Sequence, residues 1–319
     1  MEHRPVLADR VLEFLEPALE DGGLLVDCTL GRGGHARHAL EAFPRARLIG
    51  IDRDPVAVEA SRAHLSSFEE RVRLVRDDFS RLKAIMERFG DPQARGVLLD
   101  LGVSSPQLDE ADRGFSFRSD GPLDMRMDPG QPLSAHDVVN TYAERELAKV
   151  IRRYGEERFA SRIARSIVGA RPVLGTAALA EIVKSAIPAA TRRTGGHPAR
   201  RTFQAIRIEV NREIDALEET LPDAIDLLEP GGRIVVISYH SLEDRVVKRV
   251  FVDEANGCVC PPDFPECRCG AEARIRILTR RPVRPGPSEI ADNPRASAAK
   301  LRAGERVAEA RGEGPRRPL

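Results

Sequence analysis

Several short stretches of the 319-residue sequence place carboxylates, glycines and amides where a ligand can be held. The first is Asp27-Cys-Thr-Leu-Gly31-Arg-Gly33-Gly34-His35, directly after an apolar run. Its glycines permit a tight turn and a close approach of backbone to ligand. The loop has neither the G-x-G-x-x-G pattern nor the lysine of a phosphate-binding loop. Asp52 closes a second apolar run, 21 residues beyond Gly31. A carboxylate at such a position can accept hydrogen bonds from two ribose hydroxyls. It could also cap a helix, but Asp54 is better placed to do that. A third run ends in Asp77-Asp78-Phe79-Ser80. Here Phe79 offers a flat face to an adenine and Asp78 an acceptor for its amino group, or Phe79 is an ordinary core residue. The fourth run ends in Asp100-Leu-Gly-Val-Ser104-Ser105-Pro106-Gln107. Asp100 can face a cationic ligand group there, or serve as a structural carboxylate. Together the four stretches read as a nucleoside site.

Two further groups have the residue types for chemistry. His240 follows a fifth apolar run, and it either reaches the mouth of the site or joins Asp244-Arg245 in a structural network. Cys258-x-Cys260 and Cys267-x-Cys269 could bind zinc through four thiolates, although C-x-C is tighter than the usual ribbon spacing. The alternatives are disulfides, disfavoured in a reducing compartment, or a reduced loop without metal. Isolated Cys28 reads as a small core residue.

The elements that must position these residues alternate. Residues 6–20 predict an amphipathic helix. Leu24–Asp27, Leu48–Ile51, Val72–Val75, Val97–Leu101 and Arg233–Ser238 predict strands, with helices opening near Gly34 and at Asp54-Pro55. Residues 274–279 predict an edge strand, in a hairpin if a partner is near. Short apolar strands separated by helices indicate a doubly wound, mostly parallel sheet. The strand pattern stops between about 108 and 215, where an Arg-rich helical insertion is expected. Phe203, Ile206, Val210, Ile214, Leu217 and Leu221 predict one long helix there, kinked or ended at Pro222. The expected organisation is 1–108, an inserted helical domain over 109–215, a resumed sheet domain over 216–302, and a disordered tail over 303–319.

Composition bounds the class. Hydrophobic residues make up 41% and charged residues 31%, as in a soluble globular protein. No apolar run approaches the ~20 residues that span a bilayer, and the start shows no signal-peptide stretch, so a cytoplasmic location is expected. Net charge is zero but unevenly distributed. Residues 145–213 carry 15 Lys and Arg against 6 Asp and Glu, and residues 270–319 carry 12 against 6. Such basic segments in an acidic background suit a polyanion or form solvated helix faces.

With these residues assembled, the sequence closely resembles the bacterial 16S ribosomal RNA cytosine-N4 methyltransferases of the decoding site. The resemblance is carried by His3-x-Pro-Val-Leu7, Gly31–His35, Ile51–Pro55, Leu98–Asp109, Arg113–Phe117 and Gly121–Met127. It continues through Arg201–Arg207 with Val210-Asn211, Gly231-Gly-Arg, His240–Arg245, Asn293-Pro-Arg and Lys300–Arg302. It therefore runs from residue 3 to about 302. Tyr239 departs from it, standing where the family usually has Phe, and the Asn293 segment is a looser version of the family motif.

The resemblance implies a class I methyltransferase fold with an inserted helical domain and S-adenosylmethionine as methyl donor. It implies cofactor contacts at Gly33, Gly34, His35, Asp52, Phe79, Asp100 and Gln107, of which His35 would not have been selected by spacing. A sulfonium donor calls for no metal. The implied partner is 16S ribosomal RNA in an assembled small subunit, with Arg192, Arg193, Arg200 and Arg201 as candidate phosphate contacts. The catalytic base is not implied; Asp100 and the Ser104-Ser105-Pro106 turn are both placed to accept a proton. Rival readings are a dinucleotide oxidoreductase, which expects G-x-G-x-x-G, a methyltransferase for another substrate, and an inactive RNA-binding relative.

Overall fold

Leu24, Leu25 and Val26 are buried on both faces of their strand, which is why this stretch reads as a continuous apolar run rather than an alternation. In the computed structural model, which describes residues 4–90, 93–191, 197–256 and 272–308, that strand is β1 (Gly23–Asp27). It follows helix α1 (Ala8–Leu19), whose Leu15 and Leu19 are fully buried. Next come α2 (Gly34–Ala42), β2 (Ala46–Asp52), α3 (Pro55–His64), β3 (Val72–Arg76), α4 (Leu82–Phe89) and β4 (Ala94–Asp100). The start of α3 is as the sequence predicts: Asp54 accepts a hydrogen bond from Val56 N at 3.0 Å, with Pro55 in the first turn.

By internal contacts the chain divides into two units, Met1–Gly102 with Ala216–Leu319, and Val103–Asp215. The second is helical: α5 (Ser105–Asp109), α6 (Ala135–Thr141), α7 (Glu144–Gly155), α8 (Ala160–Gly169), α9 (Thr176–Ala186) and α10 (Arg200–Asn211). Its own core includes Leu147, Ile151, Ile163, Ile167, Leu179, Val183 and Phe203.

The predicted single helix over 203–221 is two. Arg212 takes a left-handed conformation, φ 50°, and separates α10 from α11 (Glu213–Asp226). The apolar spacing runs on across that break, so the sequence pattern does not reveal it. Pro222 lies inside α11 and does not end it.

The sheet resumes with β5 (Leu228–Ser238), followed by α12 (Ser241–Asn256), β6 (Ile275–Ile277), α13 (Pro287–Asp292) and β7 (Lys300–Arg306). The strand order is β3-β2-β1-β4-β5-β7-β6. Strands β1 to β5 run parallel, and β7 is antiparallel to both β5 and β6. A dinucleotide-binding sheet has the order 3-2-1-4-5-6; here an antiparallel strand is inserted between the fifth and sixth.

β7 corrects the expectation of a disordered tail for residues 303–306, while 309–319 lie outside the described residues. It stays hidden in sequence because Arg302, a charged residue, is buried in it. Asp244 on α12 accepts hydrogen bonds from Arg302 Nε at 2.7 Å and Lys300 Nζ at 3.0 Å. The 274–279 segment is the sheet edge, but its partner β7 follows only after α13, so no tight hairpin forms. Residues 258–269, with all four clustered cysteines, lie outside the described residues.

Candidate active site

Open parallel sheets bind ligands beyond the carboxyl ends of their strands, where the strand order reverses. In this sheet that point lies between β1 and β4. Asp27, Asp52 and Asp100 are the last residues of β1, β2 and β4.

The glycine loop between β1 and α2 is anchored from two sides. Asp52 Oδ2 accepts a hydrogen bond from Gly31 N and Asp52 Oδ1 one from Asp54 N, both at 2.8 Å. Asp100 N donates to Thr29 Oγ1 at 2.5 Å, fixing the loop to the end of β4. Gly33 caps α2 with φ 78°, a conformation that favours glycine. Gly34 is needed for space, since a Cβ there would stand 2.8 Å from Pro5 Cγ. Both glycines therefore have structural work in the loop, whatever the ligand.

His35 is the second residue of α2 and is buried. Its Nε2 lies 3.5 Å from Asp100 Oδ2 and makes no hydrogen bond among the described residues. Asp100 keeps 25% of its side chain exposed, and its Oδ1 accepts a hydrogen bond from the Tyr239 hydroxyl at 2.9 Å. Burial, with Asp100 beside it, pushes the Tyr239 phenol far above its ordinary range.

Asp27 is the contrasting carboxyl. It is fully buried, and burial raises its pKa to about 7; His35 and a hydrogen bond from Thr29 N, at 3.1 Å, work in the opposite direction. Asp100 and Asp52 add to the rise. Burial also raises Asp52, against the two backbone donors it accepts.

Phe79 opens a 3-10 turn after β3 and is buried. The Arg53 guanidinium lies 5.8 Å from its ring centroid and pairs with Asp78 Oδ2 at 3.1 Å. Asp78 Oδ1 accepts from Ser80 N, so both carboxylate oxygens are engaged. Gln107 belongs to the helical unit, where it is buried and closes a capping box on α5: Ser104 N donates to Gln107 Oε1 at 3.0 Å. Ser104 Oγ is likewise taken, by Gln107 N.

His240 stands at the start of α12. Its Nε2 is 3.1 Å from Glu243 Oε1, and Glu243 Oε2 accepts from Tyr239 N and His240 N. Its partner is thus Glu243 rather than Asp244, which is held by Lys300 and Arg302.

Asp27, Thr29 and Tyr239 carry much of this site, yet none of them is assigned a role by residue type and spacing alone. Asp27 was discoverable by the rule that selected Asp52 and Asp100, since it too ends a strand. Thr29 and Tyr239 carry no such signal, because each meets Asp100 only through the fold, from 71 and 139 residues away.

Residues 1–307 match the MraW methylase family. The chain belongs to that family, and it is a methyltransferase. Among its relatives is the ribosomal RNA small subunit methyltransferase H of Halothermothrix orenii, 49% identical over 311 residues, which cover 96% of this chain and 99% of that protein. The Symbiobacterium thermophilum protein of the same name is 52% identical over 305 residues, covering 94% and 95%. That of Thermobifida fusca is 51% identical over 311 residues, covering 96% and 94%. The sheet with its inserted antiparallel β7 is, accordingly, the class I methyltransferase fold. No helix among the described residues is long and apolar enough to cross a membrane.

Proposed function

We propose that this methyltransferase transfers a methyl group from S-adenosylmethionine to the exocyclic N4 of a cytidine in 16S ribosomal RNA near the decoding site. The substrate is an assembled small ribosomal subunit, in the cytoplasm. The observation that carries this reading is the near full-length match to relatives named for methylation of small-subunit ribosomal RNA.

The residues present fit the cofactor. Asp52 accepts one backbone donor on each oxygen, and a carboxylate oxygen has lone pairs for two, which leaves acceptor capacity for ribose hydroxyls. His35 has a buried Nε2 without a hydrogen bond beside the partly exposed Asp100. Gly33, Gly34, His35, Asp52, Phe79 and Asp100 would hold it, and Gln107 is assigned on the family motif. S-adenosylmethionine, when bound, supplies an electrophilic methyl on a sulfonium.

The chain's own task is positioning in a site shielded from water. A cytosine N4 lone pair is delocalised into the ring, so an acceptor on the amine assists its pyramidalisation and the later loss of its proton. Asp100 is that acceptor in this reading, because it is the partly exposed carboxylate; the Ser104-Ser105-Pro106 turn is the alternative, and its Ser104 hydroxyl also caps α5. The target base must leave its stack to reach such a site.

The direct test is transfer of label from S-adenosylmethionine to small subunits from cells lacking the gene, with nucleoside analysis. Labelled N4-methylcytidine is the expected product. Cofactor binding without label in RNA would overturn the substrate assignment. Asp100→Asn separates the roles of Asp100. Turnover lost by about 100-fold or more with cofactor affinity retained identifies the amine acceptor, in the range of general-base contributions. Equal loss of both identifies a donor contact.

A further inference from the structure

Helices α7 and α8 form an antiparallel pair whose outer face is cationic. Arg152 Nη2 near the end of α7 donates to Ser161 Oγ near the start of α8 at 2.8 Å. Arg165 further along α8 donates to Glu144 Oε1 at the start of α7, at 3.4 Å. These two contacts set the direction of the pair and put one flank of each helix along a common seam.

On α7 that flank carries Arg145, Lys149 and Arg152, spaced four and three residues apart, opposite the buried Leu147, Ile151 and Tyr154. Arg162 and Arg165 lie three residues apart on α8, on a different face from the buried Ile163, Ala164 and Ile167, and Arg158 stands in the turn before the helix, its guanidinium 4.6 Å from the Phe159 ring centroid. Residues at such spacings share one helix face. All six cations are exposed.

The ordinary alternative is a solvated face, which intersperses charges of both signs. Here the carboxylates near the cations are already engaged: Arg165 holds Glu144, and Glu181 of α9, which lines the same shallow pocket as Arg162, accepts from Lys184 Nζ at 2.9 Å. Glu146 turns back to accept from Ala143 N, and Glu156 lies in the turn between the helices. Among the described residues no carboxylate pairs with Arg145, Lys149 or Arg162. None of the exposed large hydrophobics of the described residues, Val56, Leu174 and Val252, lies on either helix. A membrane surface or an apolar protein partner would call for apolar residues among the cations.

We propose that this α7–α8 face is a docking surface for the phosphate backbone of the RNA substrate, and the inference rests on the ribosomal RNA reading above. Arginine forks bind phosphate oxygens in pairs, and a strip of them fixes register without reading sequence. This places phosphate binding on residues other than the four expected from sequence. Of those, Arg192 and Arg193 lie outside the described residues, Arg200 is exposed, and Arg201 is turned toward Glu157 and the Glu156 carbonyl.

The test uses the full chain and unmethylated small ribosomal subunits, with affinity measured at several salt concentrations. The variant combines Arg145→Gln, Lys149→Gln and Arg162→Gln. We expect tenfold or greater loss of affinity near 0.1 M salt. The plot of log affinity against log salt should become shallower by about 2, since each lost phosphate contact removes roughly 0.7–0.9 from the slope. Cofactor affinity should not change. A companion variant with Arg145→Lys and Arg162→Lys keeps the charge and should bind subunits within about threefold of wild type, so loss in both variants by the same factor would overturn the proposal. Unchanged affinity and slope in the Gln variant, with wild type methylating subunits normally, would overturn it and leave the functional reading intact. So would lost retention on phosphatidylserine vesicles with unchanged subunit binding, in favour of a lipid surface. If wild type itself neither binds nor methylates subunits, the functional reading falls and takes this surface with it.

Discussion

Asp27 and Asp100 end neighbouring strands and meet different surroundings. Asp27 is sealed in, whereas Asp100 keeps a quarter of its side chain in solvent and takes a phenol hydrogen bond. Divergent environments for paired carboxyls commonly mark divergent roles. The phenol hydroxyl can be removed without changing the ring, so its contribution to Asp100 can be measured directly. Tyr239→Phe removes one donor to Asp100, whose side chain is 25% exposed. Stability should fall by about 1 kcal/mol, the usual net value of one hydrogen bond, as read by chemical denaturation. Turnover should change by less than tenfold, far less than for Asp100→Asn, with KM for the cofactor unchanged. A loss equal to that of Asp100→Asn would make the phenol a working member of the site rather than a positioning residue.

At the scale of elements, legibility depends on whether the stabilising interaction is local. Strands β1 to β4 and the Asp54-Pro55 helix start follow from apolar runs and capping chemistry, both written in adjacent residues. Asp52 and Asp100 were legible because they end such runs. His35 needed the family motif, because its burial against Asp100 is tertiary. The break at Arg212 and the strand β7 are tertiary as well. The break is supported by Arg207, which forks onto Glu213 at 2.8 and 2.7 Å, and by Asn211. Asn211 is buried, accepts from Met127 N at 2.8 Å and donates to the carbonyls of Met125 and Arg207. It thereby holds a loop in which Met125 has φ 57°. Asn211→Ala would strand a buried N–H and a buried carbonyl together. The expected cost is about 2–4 kcal/mol, from one to two unsatisfied groups. It should appear in denaturation of the full chain followed by helical signal. A cost under about 1 kcal/mol would mean that water or a shifted loop replaces the amide.

For the whole molecule, zero net charge conceals a division of labour, with the cations of residues 145–213 in the helical unit and a row of carboxyls at the end of the sheet. That row has a consequence for folding. Asp27 binds its proton with a pKa of about 7 in the native chain, against an ordinary 3.8 when exposed. Between those values the native state holds more protons than the unfolded state, so stability falls as pH rises through this window. The contribution is fully present below pH 3.8 and lost above about 7. Other carboxyls that are stabilised when charged act in the opposite direction, so the Asp27 contribution is isolated by difference. Asp27→Asn replaces the carboxyl by a neutral group of nearly the same shape. The stability of Asp27→Asn relative to wild type should therefore increase between about pH 5 and pH 8. The increase should exceed about 1 kcal/mol, since a tenfold change in proton affinity corresponds to about 1.4 kcal/mol. Urea denaturation of both proteins at the two pH values measures it. A constant difference would mean that Asp27 ionises normally in the folded chain, with solvent or a neighbouring cation compensating its burial. An increase would show that burial, with smaller additions from Asp100 and Asp52, keeps the Asp27 carboxyl protonated in the folded chain at pH values where the unfolded chain has released the proton.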